Sequence, residues 1–130
     1  MSIAQHITGL QHIGIPTNDM KATIAFYEAL GFTIAYETVA QPAGEAVCFL
    51  TLQGICIETY ENHQGVGHAG AIDHIALDVD DIEATLAAVK AAGYCPIEPE
   101  IQALPFWANG VRYFNIWGPN MEKVEFSQML

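Results

Sequence analysis

The chain is written twice, and that repeat limits what it can fold into more than any other feature. Leu10-Gln11-His12-Ile13-Gly14-Ile15 lies over Ile72-Asp73-His74-Ile75-Ala76-Leu77, and the match continues without a gap to Phe32 over Tyr94. Eight of the 23 pairs are identical: His12/His74, Ile13/Ile75, Asp19/Asp81, Ala22/Ala84, Thr23/Thr85, Ala25/Ala87, Ala29/Ala91 and Gly31/Gly93. Self-similarity at this spacing marks duplicated supersecondary units. Val47–Gly54 then lies over Val111–Gly118 at an offset of 64, and Ile57–Glu61 over Val124–Gln128 at 67. The widening offset predicts longer loops in the second copy.

Each copy has the same grammar. An apolar run, 10–15 or 72–79, ends at Asn18 and Asp19 or Asp80 and Asp81, residues that cap helix N-termini. Met20, Ile24 and Tyr27, and Ile82, Leu86 and Val89, recur at helical spacing, and Gly31 and Gly93 end the two helices. Strand-like runs follow at about 32–39, 46–52 and 55–60, then at about 94–98, 111–117 and 121–128. The order is βαβββ twice, an α+β chain forming one domain over 1–130. Module 1 covers about 8–61, a glycine-rich linker about 62–70, and module 2 about 71–130.

Composition narrows the partners. Fifteen Asp and Glu against four Lys and Arg give a net charge of −11, which argues against nucleic acid or an anionic membrane, since both need cations to neutralise phosphate. No run approaches the roughly 18 apolar residues of a membrane span. The N-terminus has neither the basic start nor the apolar core of a secretory signal, so a cytoplasmic protein is expected. Cys48, Cys56 and Cys95, an odd number without CxxC spacing, read as free thiols.

The repeat also places a histidine in the first strand of each copy and a glutamate in the last: His12, Glu58, His74 and Glu125. Side chains alternate along a strand, so Ile13 and Ile15 oppose His12, Ile75 and Leu77 oppose His74, Ile57 opposes Glu58, and Val124 and Phe126 oppose Glu125. The apolar faces pack on helices and the four polar residues share the other side. Alone, a strand histidine is usually a hydrogen-bonded core or surface residue; the matched pairs argue otherwise. If the two sheets face each other, the four converge. Two imidazoles and two carboxylates suit one divalent ion such as Zn²⁺, Ni²⁺, Fe²⁺ or Mn²⁺. An octahedral ion so held keeps two positions for water or substrate oxygens, and either glutamate is placed to serve as a base; symmetry does not choose between them.

These residues carry a resemblance. His12-Ile13-Gly14-Ile15, Ala25-Phe26-Tyr27-Glu28-Ala29-Leu30-Gly31-Phe32, Asp73-His74-Ile75-Ala76-Leu77-Asp78-Val79-Asp80-Asp81 and Lys123-Val124-Glu125-Phe126 resemble the vicinal oxygen chelate superfamily of glyoxalases, bleomycin-binding proteins and extradiol dioxygenases. The resemblance covers nearly the whole chain. It implies two βαβββ modules in a curved, open mixed β-barrel with helices outside, a metal on His12, Glu58, His74 and Glu125, and a homodimer. It implies a glyoxalase-like lyase or isomerase working on a small oxygen-chelating substrate. The alternatives are a non-catalytic drug or metabolite binder, an epimerase or a dioxygenase. The chain departs from glyoxalase I at Pro16, where that enzyme carries an Arg for glutathione.

Smaller features complete the expectations. Arg112 is either a substrate anchor or, more in keeping with so many acids, an ion-pair partner. Phe106 and Trp107 suit an apolar pocket rim, and Cys56 and Tyr60 share a face with Glu58. His6, His63 and His68 carry no expected catalytic role, and Glu61 and Glu122 are expected to be solvated.

Overall fold

A computed structural model describes residues 2–130. After a short 3₁₀ turn at Ile3–His6, module 1 runs β1 (Ile13–Thr17), α1 (Met20–Ala29), β2 (Thr33–Ala40), β3 (Glu45–Leu52) and β4 (Ile55–Glu61). Module 2 repeats it as β5 (His74–Asp78), α2 (Ile82–Ala91), β6 (Gln102–Leu104), β7 (Val111–Trp117) and β8 (Lys123–Met129). The sheets have the same order, β1-β4-β3-β2 and β5-β8-β7-β6, with the first pair parallel and the rest antiparallel. Neither closes into a barrel.

Local chemistry explains the boundaries. Asp19 accepts from the Ala22 N–H at 3.0 Å and Asp81 from the Ala84 N–H at 2.9 Å. Each cap satisfies an orphan donor of its first helical turn, typically for about 1 kcal/mol. Gly31 and Gly93 take φ of 103° and 92°, a conformation that a side chain would resist, and the chain leaves the helix there. Gln53 and Gly54, both at positive φ, turn β3 into β4 in two residues.

One face of each sheet packs beneath its helix. Tyr27, Leu50 and Ile57 from module 1 and Phe114, Ile116 and Val124 from module 2 are essentially inaccessible to solvent and belong to one cluster. Burying each such side chain contributes about 1.5–3 kcal/mol. Phe26 joins the halves, its ring edge-on to Tyr94 at 5.2 Å.

A polar clasp lies beside that contact. Thr17 Oγ1 donates to Asn120 Oδ1 at 2.8 Å, the Asn120 amide donates to Thr23 Oγ1 at 2.9 Å, and the Tyr27 hydroxyl donates to Glu122 Oε2 at 3.0 Å. Glu122 also accepts from the Asn120 N–H, and Glu61 accepts from the Met20 N–H, so neither acid is merely solvated.

Two further sequence expectations need correction. Residues 94–98 form no strand; Pro96 and Pro99 remove the donors a ladder needs, and the short β6 begins only at Gln102. In the sheets Glu58 pairs with Phe49 while Glu125 pairs with Asn115, so the counterpart of Phe49 lies 66 residues on, not 64. The extra residues enter before β7, and the β7–β8 connection spans 118–122 where β3–β4 needs two residues.

Candidate functional site

Each module builds the same small constellation on the sheet face away from its helix. Gly14 faces Glu58 across β1 and β4, and Ala76 faces Glu125 across β5 and β8. The histidine stands two residues before that facing position in both modules: His12 just ahead of β1, His74 as the first residue of β5. His12 Nε2 lies 3.9 Å from Glu58 Oε1, and His74 Nε2 lies 3.2 Å from Glu125 Oε2. The alternation argument thus places each histidine beside its glutamate. Among the described residues, however, no three His, Cys, Asp or Glu side chains are grouped as a metal ion requires. One chain presents two pairs.

The two histidines border different clefts. His12 borders a space of about 220 Å³ with Cys56, Ile55 and Ile75–Leu77. His74 and Glu125 border a larger one of about 480 Å³ with Phe106, Trp107, Tyr113 and Glu98. Phe106 and Trp107 line this larger cleft and are largely exposed. Trp107 holds a left-handed backbone, φ 64°, at a cost of roughly 1–2 kcal/mol for a residue with a β-carbon. Tyr60 leans over Gly14, 3.6 Å from where a β-carbon would lie, on the Glu58 side of its sheet. Arg112 lies outside both clefts: its Nη2 is 3.0 Å from Glu83 Oε1 on α2, the ion-pair alternative rather than the substrate anchor.

Neighbours that the sequence reading did not single out surround the pairs. The residue before each histidine holds its other ring nitrogen, Gln11 Oε1 at 2.9 Å from His12 Nδ1 and Asp73 Oδ2 at 2.8 Å from His74 Nδ1. Lys123 Nζ meets the same Asp73 oxygen at 3.1 Å and lies 5.5 Å from the Trp117 ring centroid. The bond from His74, then that from Lys123, holds the Asp73 carboxyl below the usual carboxylate range. Glu98 is fastened by Asn115, whose backbone N–H and side-chain amide donate to its two oxygens at 2.8 and 2.6 Å. The signal for Gln11 and Asp73 was the repeat itself, and for Lys123 its alternation with Glu125.

The donor chemistry fits a divalent ion. Ligands about 2.1 Å from a metal lie roughly 3.0 Å apart in octahedral and 3.4 Å apart in tetrahedral geometry, and the 3.2 Å His74–Glu125 spacing falls between. The His12–Glu58 pair, at 3.9 Å, is wider than that range. Each pair supplies an imidazole and a carboxylate, a set suited to Zn²⁺, Ni²⁺, Fe²⁺ or Mn²⁺.

Comparison with known proteins agrees with this architecture. Residues 9–125 match the family model described as Glyoxalase/Bleomycin resistance protein/Dioxygenase superfamily. The uncharacterized protein YwbC of Bacillus subtilis (strain 168) is 34% identical over 124 residues, covering 92% of this chain and 96% of YwbC. A glyoxalase family protein from Enterococcus faecalis superposes with a TM-score of 0.79 at 23% identity, over 94% of this chain and 98% of that one. The genomically encoded fosfomycin resistance protein FosX of Listeria monocytogenes superposes at 0.72 with 20% identity, over 95% and 93%. Those two likenesses show the fold. With the duplicated βαβββ modules and a family match over nearly the whole length, the chain belongs to the glyoxalase/bleomycin resistance protein/dioxygenase superfamily, whose members include metal-dependent lyases, isomerases and dioxygenases.

Proposed function

We propose that the protein is a divalent-metal-dependent lyase or isomerase of glyoxalase type, moving a proton on a small oxygen-chelating substrate. The observation that carries this reading is the matched His–Glu pair in both modules, the second at a ligand spacing of 3.2 Å. His12, Glu58, His74 and Glu125 would hold one ion. When bound, the metal acidifies the carbon next to a chelated carbonyl oxygen. Glu125 or Glu58 takes the proton from one carbon and returns it to its neighbour, while the hydroxyl proton passes to the oxygen that was the carbonyl, so that the two carbons exchange oxidation level. The Phe106 and Trp107 rim covers the apolar body of the substrate and keeps water from the reacting carbon.

The surroundings favour an uncharged substrate. Arg112 is paired with Glu83, Lys123 with Asp73, and Glu98 and Glu125 border the same cleft. A doubly anionic thiol conjugate meets little attraction there.

The reading includes a homodimer in which module 1 of one chain completes the site of module 2 in the other. In support, His12 and His74 face different clefts, every residue of β2 is exposed, and Tyr36, Val39, Phe106 and Trp107 leave apolar surface on the sheets and rim. A sheet face of this composition ordinarily packs against another layer. Among the described residues no helix is long and apolar enough to cross a membrane, and the acidic composition is in keeping with a cytoplasmic protein.

Metal-loaded protein should exchange the acidic carbon-bound proton of small α-hydroxy carbonyl compounds with deuterated solvent, followed by NMR. It should also isomerise hemithioacetals of methylglyoxal, those of a neutral thiol better than those of glutathione. Glu125→Gln and Glu58→Gln together should abolish both. No exchange with any of Zn²⁺, Ni²⁺, Fe²⁺ or Mn²⁺ would point instead to a protein that binds its ligand without turnover.

A further inference from the structure

The two histidines are held differently, and the difference has a chemical consequence. Asp73 Oδ2 lies 2.8 Å from His74 Nδ1, while Glu125 Oε2 lies 3.2 Å from Nε2 of the same ring. A neutral imidazole has one N–H to give, and the two carboxylates compete for it because a carboxylate only accepts. If Nε2 carries the proton, it donates to Glu125 and no lone pair remains for a metal. If Nδ1 carries it, the Nε2 lone pair and the Glu125 oxygen face each other as two acceptors, an arrangement complementary to a cation. Asp73 has the shorter contact, and Lys123 Nζ at 3.1 Å and its own place over Trp117 fix the carboxylate in position.

In module 1 the same place is taken by Gln11, whose Oε1 faces His12 Nδ1 at 2.9 Å. An amide presents either its oxygen or, turned over, its NH₂, so it serves both tautomers and selects neither.

We infer that Asp73 is a positioning residue that keeps the proton of His74 on Nδ1, leaving Nε2 free to ligate, and that this makes module 2 the stronger of the two half-sites. The inference rests on the metal reading above for its purpose, but its first consequence, the tautomer, exists without metal. Outer carboxylate partners of ligating histidines commonly matter 10–100-fold in metal affinity.

The test has two arms on the full-length protein. In metal-free protein, about two pH units above the ordinary imidazole value, ¹⁵N-edited NMR of the histidine rings reads the tautomer directly. His74 should be Nδ1–H in the wild type and turn to Nε2–H in Asp73→Ala, with Asp73→Asn giving a mixture. Gln11→Glu should draw His12 toward Nδ1–H. In the second arm, calorimetric titration with Zn²⁺ or Ni²⁺ should show affinity falling about 10–100-fold in Asp73→Ala and rising in Gln11→Glu. Asp73 is solvent-exposed, so the variants should keep the wild-type melting temperature. Wild-type protein that binds the ion while Asp73→Ala changes neither tautomer nor affinity would overturn the inference alone. Wild-type protein that binds neither ion would overturn the metal reading, whatever the tautomer.

Discussion

Removing one hydroxyl from the contact between the modules should cost a definite amount of stability. Tyr27 is wholly buried, and its hydroxyl donates to Glu122 Oε2 at 3.0 Å while the Asn120 N–H occupies the other oxygen at 2.8 Å. Burial, with the Glu122 charge adding to it, pushes the phenol far above its ordinary range, so it remains a donor at every pH at which the fold survives. Tyr27→Phe keeps the edge-on contacts with Phe26 at 4.9 Å and Phe32 at 5.4 Å and opens no cavity. The whole cost is then the hydrogen bond to a carboxylate, about 1.5–3 kcal/mol. For a chain of this length each kcal/mol lowers Tm by about 3–5 °C, which gives a fall of about 5–15 °C. Urea unfolding of Tyr27→Phe, Glu122→Ala and the double variant isolates the pair, and the coupling should reach about 1 kcal/mol. A coupling below about 0.3 kcal/mol would mean that the tyrosine acts only through its ring and that the clasp contributes nothing.

Three further outcomes follow from other contacts. A β-carbon at Gly118 would fall on the Glu122 side chain, so Gly118→Ala should destabilise the wild type by about as much as Tyr27→Phe does, yet cost little in the Tyr27→Phe background. Cys48 is buried, and burial, with Glu37 and Glu28 adding to it, pushes its thiol up to about 11; at pH 8 a disulfide reagent should modify exposed Cys95 at once and Cys48 only on unfolding. Arg112→Met should change stability by no more than about 1 kcal/mol and leave turnover intact, because its partner Glu83 lies on the outer helix; a large loss of kcat would return Arg112 to the site.

Much of this was legible in the sequence because the duplication turns each half into a check on the other. Asp19 with Asp81 and Gly31 with Gly93 bound the helices as their types require, and the repeat put each histidine beside its glutamate, although His12 stands just ahead of β1 rather than within the strand as expected. What alternation cannot supply is the distance between two sheets. It assigns a face to His12 and to His74 but does not say whether those faces meet, and in one chain they border separate clefts. The clasp was invisible for a related reason: Thr17, Thr23, Asn120 and Glu122 look like ordinary loop and cap residues until the fold joins positions about a hundred apart. Residues 94–98 have the apolar content of a strand, but Pro96 and Pro99 lack the N–H donors of a ladder, and β6 begins only at Gln102.

The central claim, one ion held by His12 and Glu58 of one chain with His74 and Glu125 of another, is tested most directly by mixing two crippled chains. His12→Ala/Glu58→Gln and His74→Ala/Glu125→Gln should each bind no metal tightly alone. Refolded together, they form heterodimers in which one site joins the intact half of each chain and the other has none. The account predicts one tightly bound ion per heterodimer, with proton-transfer activity restored. A mixture that binds no more metal than its separate components would contradict it.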